Sequence, residues 1–473
     1  MKAVTASPAA RRRLWLAAVF LAGFAVRSLH AVDQAPTLYS HLQEGTRMAG
    51  RYDDAALSIL RGEGVLFPAQ PDPADTGRLA RPPGYAAFLA AVYAALGRSF
   101  FVVQLLQNLA ASLAPVMVVL LGERLVGWRV GLLAGWMAAL SSHLAYTTNL
   151  ILADALCPLP LLLGLLLLIP ASDAPLPSLG PALARAAAAG ALFGLGVWLR
   201  PNVLLLGLWA AAAAALLVQP WRRALAQAAM VAAASLLVVA PITLRNWMVY
   251  RELVPVSING GITLLQGVAD AGGRRFGVRP RDKLVIEEEA AYYGDDRLAE
   301  WWAAPDGIRR DRERYAEAMR EIRAQPLWYT RAMVRRMADL LSYHRGGAPL
   351  LAPWPAALRF TEPPSDGTLD PAFGAGAALL PGRALGFLRP AVWAAQNAIR
   401  WITLPLLIVG TVALLRQRPR AAGWLWLLPS YYLFFESFFI YEWRVAVPMH
   451  YPVFVLAAAG LLALVDAART RGR

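Results

Sequence analysis

VGLLAGWMAALSSHLAYTTNLILADALCPLPLLLGLLLLIP, residues 130–170, carries one formally charged side chain, Asp154, in 41 positions. A helix that crosses a bilayer needs about 20 predominantly apolar residues. This stretch is therefore long enough for two crossings, Val130–Tyr146 and Ala153–Ile169. The pattern extends outward in both directions. Further apolar segments read Leu14–Val32, Phe101–Leu121, Ala182–Leu199, Val203–Val218, Ala224–Leu244, Ala394–Leu415, Trp424–Ile440 and Val445–Val465, which makes ten. Gly84–Leu96 is too short for a crossing and reads as a helix lying along the membrane interface. The 473 residues are 58% hydrophobic and 16% charged, with mean hydropathy +0.45. Soluble globular chains run at about 45–50% apolar and about 25% charged. A cytosolic enzyme, a disulfide scaffold and a disordered chain are excluded; an all-α polytopic membrane protein is expected.

The net charge of +15 has two readings, phosphate neutralisation on a nucleic acid or the positive-inside bias of membrane proteins. The arginines stand between apolar segments and no aromatic RNA-binding motif accompanies them, so no nucleic-acid partner is expected. With the N-terminus inside, the inner loops hold Arg11–Arg13, Arg124, Arg129, Arg185, Arg222, Arg223, Arg416, Arg418, Arg420 and the tail arginines Arg469, Arg471 and Arg473. If Gly84–Leu96 crossed, every later cluster would lie outside. Arg11–Arg13 before a long apolar run fits an uncleaved signal anchor. Cys157 is the single cysteine and cannot form an intrachain disulfide.

This orientation divides the chain into an N-terminal transmembrane module (1–245), an extracytoplasmic, mostly helical subdomain (246–393) and C-terminal transmembrane helices (394–473). The first module includes a large outer loop, 33–100. Helical spacing of apolar residues over Arg310–His344 predicts a helix that Pro326 divides in two.

An ionisable residue inside a crossing costs about 2.5–3.5 kcal/mol on insertion scales and tends to be functional. Here such residues collect at one face. Asp154 opens the fourth crossing, Arg200 follows the fifth, and Arg245-Asn246 ends the seventh. Glu436, Glu442, Arg444 and His450 surround the last turn, while Glu44, Asp53, Asp54 and Arg81 belong to the first outer loop. Singly each has a plainer role. An arginine can snorkel to headgroups, Asp154 can cap its helix, and the loop acids can form a solvated helix face. Together, acids that can act as general base or metal ligand and arginines that neutralise phosphate suit group transfer from a phosphorylated donor.

Several strings resemble a known family. They are Arg51-Tyr52-Asp53-Asp54-Ala55-Ala56, Leu60-Arg61-Gly62-Glu63-Gly64, and Arg81-Pro82-Pro83-Gly84-Tyr85 with the residues after it. GALFGLGVWLRP (190–201), PITLRN (241–246), SINGGITLLQG (257–267) and Glu442-Trp443-Arg444 with Pro448 and Pro452 follow in order. The chain resembles the GT-C superfamily of integral-membrane glycosyltransferases, in its family 39-like branch of protein O-mannosyltransferases and lipid A aminoarabinose transferases. The resemblance implies the GT-C fold, a polyprenyl-phosphate-linked sugar as donor, and a lipid, glycan or protein acceptor. It also implies a multi-pass protein of the bacterial inner membrane with its site on the extracytoplasmic face, surrounded by membrane lipids. The family's first-loop acid, matched by Glu44, Asp53 or Asp54, deprotonates the acceptor hydroxyl, which displaces polyprenyl phosphate with inversion. Arg81, Arg200, Arg245 and Arg444 are the implied phosphate donors, with Tyr85, Asp154, Asn246 and His450 as further site residues. Asp154 matches the acid that the family carries after its third crossing, and it is the candidate ligand should a divalent cation, Mg²⁺ or Mn²⁺, be needed; no other cofactor is implied. One departure stands out: family members carry an acid four residues before the loop tyrosine, and here that position is Met48. The reading from another class is a transporter or lipid flippase, which would show internal repeats and charge near the midplane. Charge at one face favours the enzyme.

Overall fold

Each of the ten apolar segments is helical for most of its length in the computed structural model, which describes residues 7–43, 48–66, 76–170, 178–272, 282–300, 307–343, 349–351, 353 and 386–471. The first half comprises α1 (Pro8–Gln43), α2 (Met48–Ser58), α3 (Gly84–Leu96), α4 (Phe100–Ala111) and α5 (Leu113–Leu125). It continues with α6 (Trp128–Leu140), α7 (Ser142–Thr147), α8 (Pro158–Leu168), α9 (Leu179–Leu199), α10 (Leu206–Leu217) and α11 (Trp221–Tyr250). Six stretches are long and apolar enough to cross a membrane by length and composition: Pro8–Ala31, Phe100–Leu125, Leu179–Leu199, Trp221–Tyr250, Arg389–Gln417 and Val447–Thr470. Gly84–Leu96, Trp128–Leu140, Ala153–Leu168 and Pro201–Leu217 are apolar but shorter. The described residues form no strand. The chain is an all-α integral membrane protein.

Two helices outrun their apolar segments. Residues 33–43, expected to open the first outer loop, continue α1, and α11 continues past Leu244 to Tyr250. Hydropathy marks where a chain leaves lipid; the backbone ladder continues until something stops it. For α11 the stop is Arg251, whose left-handed backbone (φ 56°) turns its N–H back to the Trp247 carbonyl.

The crossings pack through small residues, as apolar helices in lipid do. A Cβ on Gly190 would collide with the Val231 carbonyl, so α9 and α11 touch backbone to backbone. The last crossings use the same device. These are α17 (Arg389–Gln417), α18 (Pro419–Phe439) and α19 (Val447–Arg471), and Gly410 of α17 lies against the Leu456 carbonyl of α19.

Between α11 and α17 lie α12 (Gly260–Asp270), α13 (Asp282–Tyr293), α14 (Arg297–Glu300), α15 (Gly307–Ala324) and α16 (Pro326–Leu340). Pro326 does divide the expected helix, as the first residue of α16, where its missing N–H costs no bond. Glu289 of α13 joins Arg310 and Arg314 of α15 at 2.6 and 2.5 Å. Burial alone would raise its pKa, but the two guanidiniums outweigh burial and hold it below the ordinary carboxylate range. The fully buried Arg336 of α16 donates to the carbonyls of Ser437, at 3.0 Å, and Gly267. That guanidinium docks α16 and α12 onto the end of α18. A second small core, with Tyr52, Ala56, Tyr85, Leu89 and Val103 buried in it, seats α2 and α3 beside α4.

A candidate phosphate-sugar site

A cavity of about 640 Å³ opens where α9 ends, where α18 ends, and where the chain leaves α11. Five pieces of backbone build it. Arg81 comes from the turn before α3; Arg200 and Asn202 come from the turn after α9. Residues 253–260 form one wall, α15 supplies Asp311 and Tyr315, and the end of α18 with the turn behind it supplies Glu436, Glu442 and Arg444. Arg81, Arg200 and Arg444 thus face one space, which Arg312, paired with Glu252 at 2.8 Å, also lines.

Their surroundings differ. The Nη2 of Arg200 lies 3.0 Å from Oδ1 of Asp154, and both side chains are buried. The other carboxylate oxygen of Asp154 is buried with no hydrogen-bond partner. The Nε of Arg444 lies 3.4 Å from Oε1 of Glu442. Arg81 has a buried Nε without a hydrogen bond. Its pKa is lowered, first by burial and then by the like charges of Arg200 and Arg444, with Tyr52 and Asp154 pulling the other way. A half-buried cation repelled by its neighbours gains when an anion enters.

Local structure fixes this geometry. Pro82 and Pro83 lead directly into α3, and Pro83 is its capping residue. The loop carrying Arg81 is tied to the 253–260 wall by two bonds: Ile258 N–H to the Leu79 carbonyl at 3.1 Å, and Asn259 Nδ2 to the Ala80 carbonyl at 2.6 Å. Asn202 donates to Glu436 at 2.6 Å, and its carbonyl accepts from Tyr431 at 2.6 Å, so the turn after α9 is latched to α18.

Of the residues that the sequence gathers at one face, Arg81, Arg200, Glu436, Glu442 and Arg444 meet in the cavity, with Asp154 behind Arg200. The remainder stand elsewhere. Arg245 is buried in α11 and does not line the cavity. Asn246 donates to the carbonyls of Val254 (2.8 Å) and Val256 (3.3 Å), so it shapes the wall from behind. Tyr85 is buried, bonded to Gln107 and packed edge-on to Tyr52 at 4.9 Å. His450 is buried in α19, with Nδ1 2.6 Å from the Tyr343 hydroxyl and its ring 4.4 Å from that of His143.

The first-loop acids separate. Asp53 is buried and held by Arg98 at 2.6 Å and by the Tyr93 hydroxyl at 2.7 Å, an arrangement that fastens α2 to the end of α3. Asp54 is exposed. Glu44 lies outside the described residues. As for a divalent cation, no group of three His, Cys, Asp or Glu among the described residues is placed to hold one. Asp154 turns its Oδ1 toward the Arg200 guanidinium.

Sequence reading missed Asn202, Asp311 and Tyr315. The signal for the last two was Gly260-Gly261. A Cβ on Gly260 would run into the Tyr315 hydroxyl, and one on Gly261 into the Asp311 backbone. Asp311 Oδ1 accepts from the Gly261 N–H at 2.8 Å, which caps α12. Burial pushes its pKa up to about 7, against the pull of that N–H.

Residues 80–247, from beside Arg81 through Asn246, match the family model of dolichyl-phosphate-mannose-protein mannosyltransferases. This bears out the resemblance to GT-C membrane glycosyltransferases of the family 39-like branch. No curated protein matches the chain by sequence. Among solved structures it is similar to the archaeal oligosaccharyltransferase AglB from Archaeoglobus fulgidus, in complex with an inhibitory peptide and a dolichol-phosphate. Identity there is 12%, over 96% of this chain and 51% of that one, with a TM-score of 0.44, so the chain spans about half the length of that protein. It is also similar to ArnT from Cupriavidus metallidurans in two states. The apo state gives 13% identity over 87% and 72% of the two chains with a TM-score of 0.34. The state bound to undecaprenyl phosphate gives 12% over 96% and 78% with a TM-score of 0.37.

Proposed function

We propose that the protein transfers a sugar from a polyprenyl-phosphate carrier to an acceptor hydroxyl on the extracytoplasmic face of the membrane. The observation that supports this most is the convergence of Arg81, Arg200 and Arg444 on one cavity, with the Nε of Arg81 buried and without a hydrogen bond. The family match over residues 80–247 points the same way. The bond from the anomeric carbon to the phosphate oxygen breaks as the bond from the acceptor oxygen to that carbon forms, with inversion. Negative charge develops on the departing phosphate, where fixed guanidiniums stabilise it most. The acceptor's proton passes to a carboxylate. From the first outer loop that base is Asp54 or Glu44, since Asp53 is committed to Arg98 and Tyr93. A second reading gives the role to Glu436, which like Asp311 is a buried carboxylate in the cavity lining and is held there by Asn202, beside Arg200. The acceptor is a lipid, glycan or protein.

The test is a purified transfer assay with polyprenyl-phosphate-linked sugar, after comparison of glycolipids from cells with and without the gene has identified the acceptor. Glu44→Gln or Asp54→Asn should lower turnover by roughly 10²-fold or more, the scale of a lost general base, with donor binding kept. Asp53→Asn should lower thermal stability instead. Loss of turnover on Glu436→Gln alone would move the base to α18. Near-wild-type turnover in all three acid variants would remove acid-base transfer from this cavity.

A further inference from the structure

At the opposite end of the same helices lies a second pocket, of about 420 Å³, which the transfer chemistry does not use. Five arginines line it: Arg124 at the end of α5, Arg185 near the start of α9, Arg223 near the start of α11, and Arg418 and Arg420 where α17 passes to α18. Its described lining contains no carboxylate. A positive-inside bias accounts for arginines at this end, but two of them bond to neighbouring helix ends. Arg124 crosses to α8 and donates to the carbonyls of Leu166 (2.9 Å) and Pro170 (3.3 Å). Arg418 crosses to the end of α5, donating to Val126 (3.0 Å) and Leu125 (3.3 Å). These two guanidiniums cap helix ends and hold the walls.

Arg185, Arg223 and Arg420 have no carboxylate partner among the described residues, and the Nε of Arg223 is buried without any hydrogen bond. The floor between them is apolar. Next along the chain to the lining residue Leu217, Leu216 is 80% exposed, and two residues past Arg223, Leu225 is 53% exposed, a surface for acyl chains. We propose that this pocket binds the headgroup phosphate of an anionic glycerophospholipid, with its chains lying along α10 and α11. Charge complementarity selects the anion, and the apolar floor with its exposed leucines selects a lipid over a free ion.

The full-length protein, stripped of lipid in a neutral detergent, is the material for the test. Dioleoyl phosphatidylglycerol, dioleoyl phosphatidylcholine and inorganic phosphate are added in turn, while thermal unfolding and native mass spectrometry report binding. Phosphatidylglycerol should raise the unfolding midpoint and remain bound in the gas phase; phosphatidylcholine should do neither. The variant R185Q/R223Q/R420Q spares both wall-holding arginines. It should weaken phosphatidylglycerol binding by on the order of 100-fold, from three lost charges near an anionic headgroup. Should that variant fail to fold, the single variant R223Q carries the comparison. An equal response to inorganic phosphate would assign the pocket to a free anion and overturn the lipid. Unchanged phosphatidylglycerol binding in the variants would overturn the site itself.

Discussion

Arg81 is the residue on which the cavity's chemistry turns, because it is half-buried, repelled by two like charges, and forms no salt bridge with a carboxylate among the described residues. Replacing it by alanine should cost transfer on the order of 10²-fold, the scale for removing one preorganised donor. Arg81→Lys and Arg444→Lys should recover only part of that loss, since an ammonium lacks the bidentate fork that fits a phosphate. Full activity of both alanine variants at normal protein levels would reduce these arginines to structural roles. Asp154 makes a separable case. In Asp154→Asn, Arg200 loses its charge partner, and transfer should fall. Titrating Mg²⁺ or Mn²⁺ into the variant should restore nothing, because the carboxylate positions a guanidinium. Restoration by either ion would instead make Asp154 a metal ligand.

At the scale of elements, α12 and α15 are joined by a contact that only glycine permits and by a carboxylate that caps one helix from the other. Asp311 is protonated more readily in the folded protein, at about 7, than in an unfolded chain, near the ordinary value of about 3.9. Between those values the folded state binds more protons, so this residue's contribution to stability declines as pH rises and levels off above about 7. Asp311→Asn keeps a side-chain oxygen for the Gly261 N–H and cannot ionise. Its unfolding midpoint relative to wild type should therefore climb from pH 5 to pH 7 and then stay level; a constant difference across that range would mean that the carboxylate is not desolvated. Sequence reading could see the crossings because lipid permits few alternatives, and it could see the Pro326 break because proline imposes it. It could not tell that Arg200 faces the cavity while Arg245 does not. Both end apolar helices, and a helix that is apolar all round leaves its rotation to the packing of its neighbours. Asp311 and Tyr315 were hidden for the opposite reason, since α15 is charged around much of its surface and only the distant Gly260-Gly261 pair records what it touches.

For the whole molecule, the two pockets lie at opposite ends of one bundle, so the orientation proposed from loop charge assigns each to a side. Single cysteines in a Cys157→Ser background test it with a membrane-impermeant thiol reagent on intact cells. Glu252→Cys and Tyr293→Cys, beside and beyond the cavity, should label. Gly180→Cys and Gln417→Cys should label only after permeabilisation. The reverse pattern would turn the protein over and place its cavity in the cytoplasm. The fold was legible at this scale through composition alone. The meeting of Arg81, Arg200 and Arg444 was legible only as a shared face, because separations of more than 100 residues are closed by packing that no local pattern encodes.

The polar side of α1 bears on how the protein is made. Asp33 pairs with Arg389 at 2.7 Å across 356 residues of sequence, and His30 meets Gln396 at 3.0 Å across 366. Arg27, fully buried, donates within its own helix to the Gly23 carbonyl at 3.1 Å. Thus α1 carries two ionisable side chains whose partners are synthesised more than 350 residues later. At about 5–20 residues per second, the interval is roughly 20–70 s. Throughout it, α1 must stay at the translocon, be sheltered by an insertion chaperone, or keep those groups in the headgroup region. Nascent chains stalled before residue 389 should therefore remain crosslinkable through α1 to the insertion machinery, and chains stalled after the last helix should be released from it.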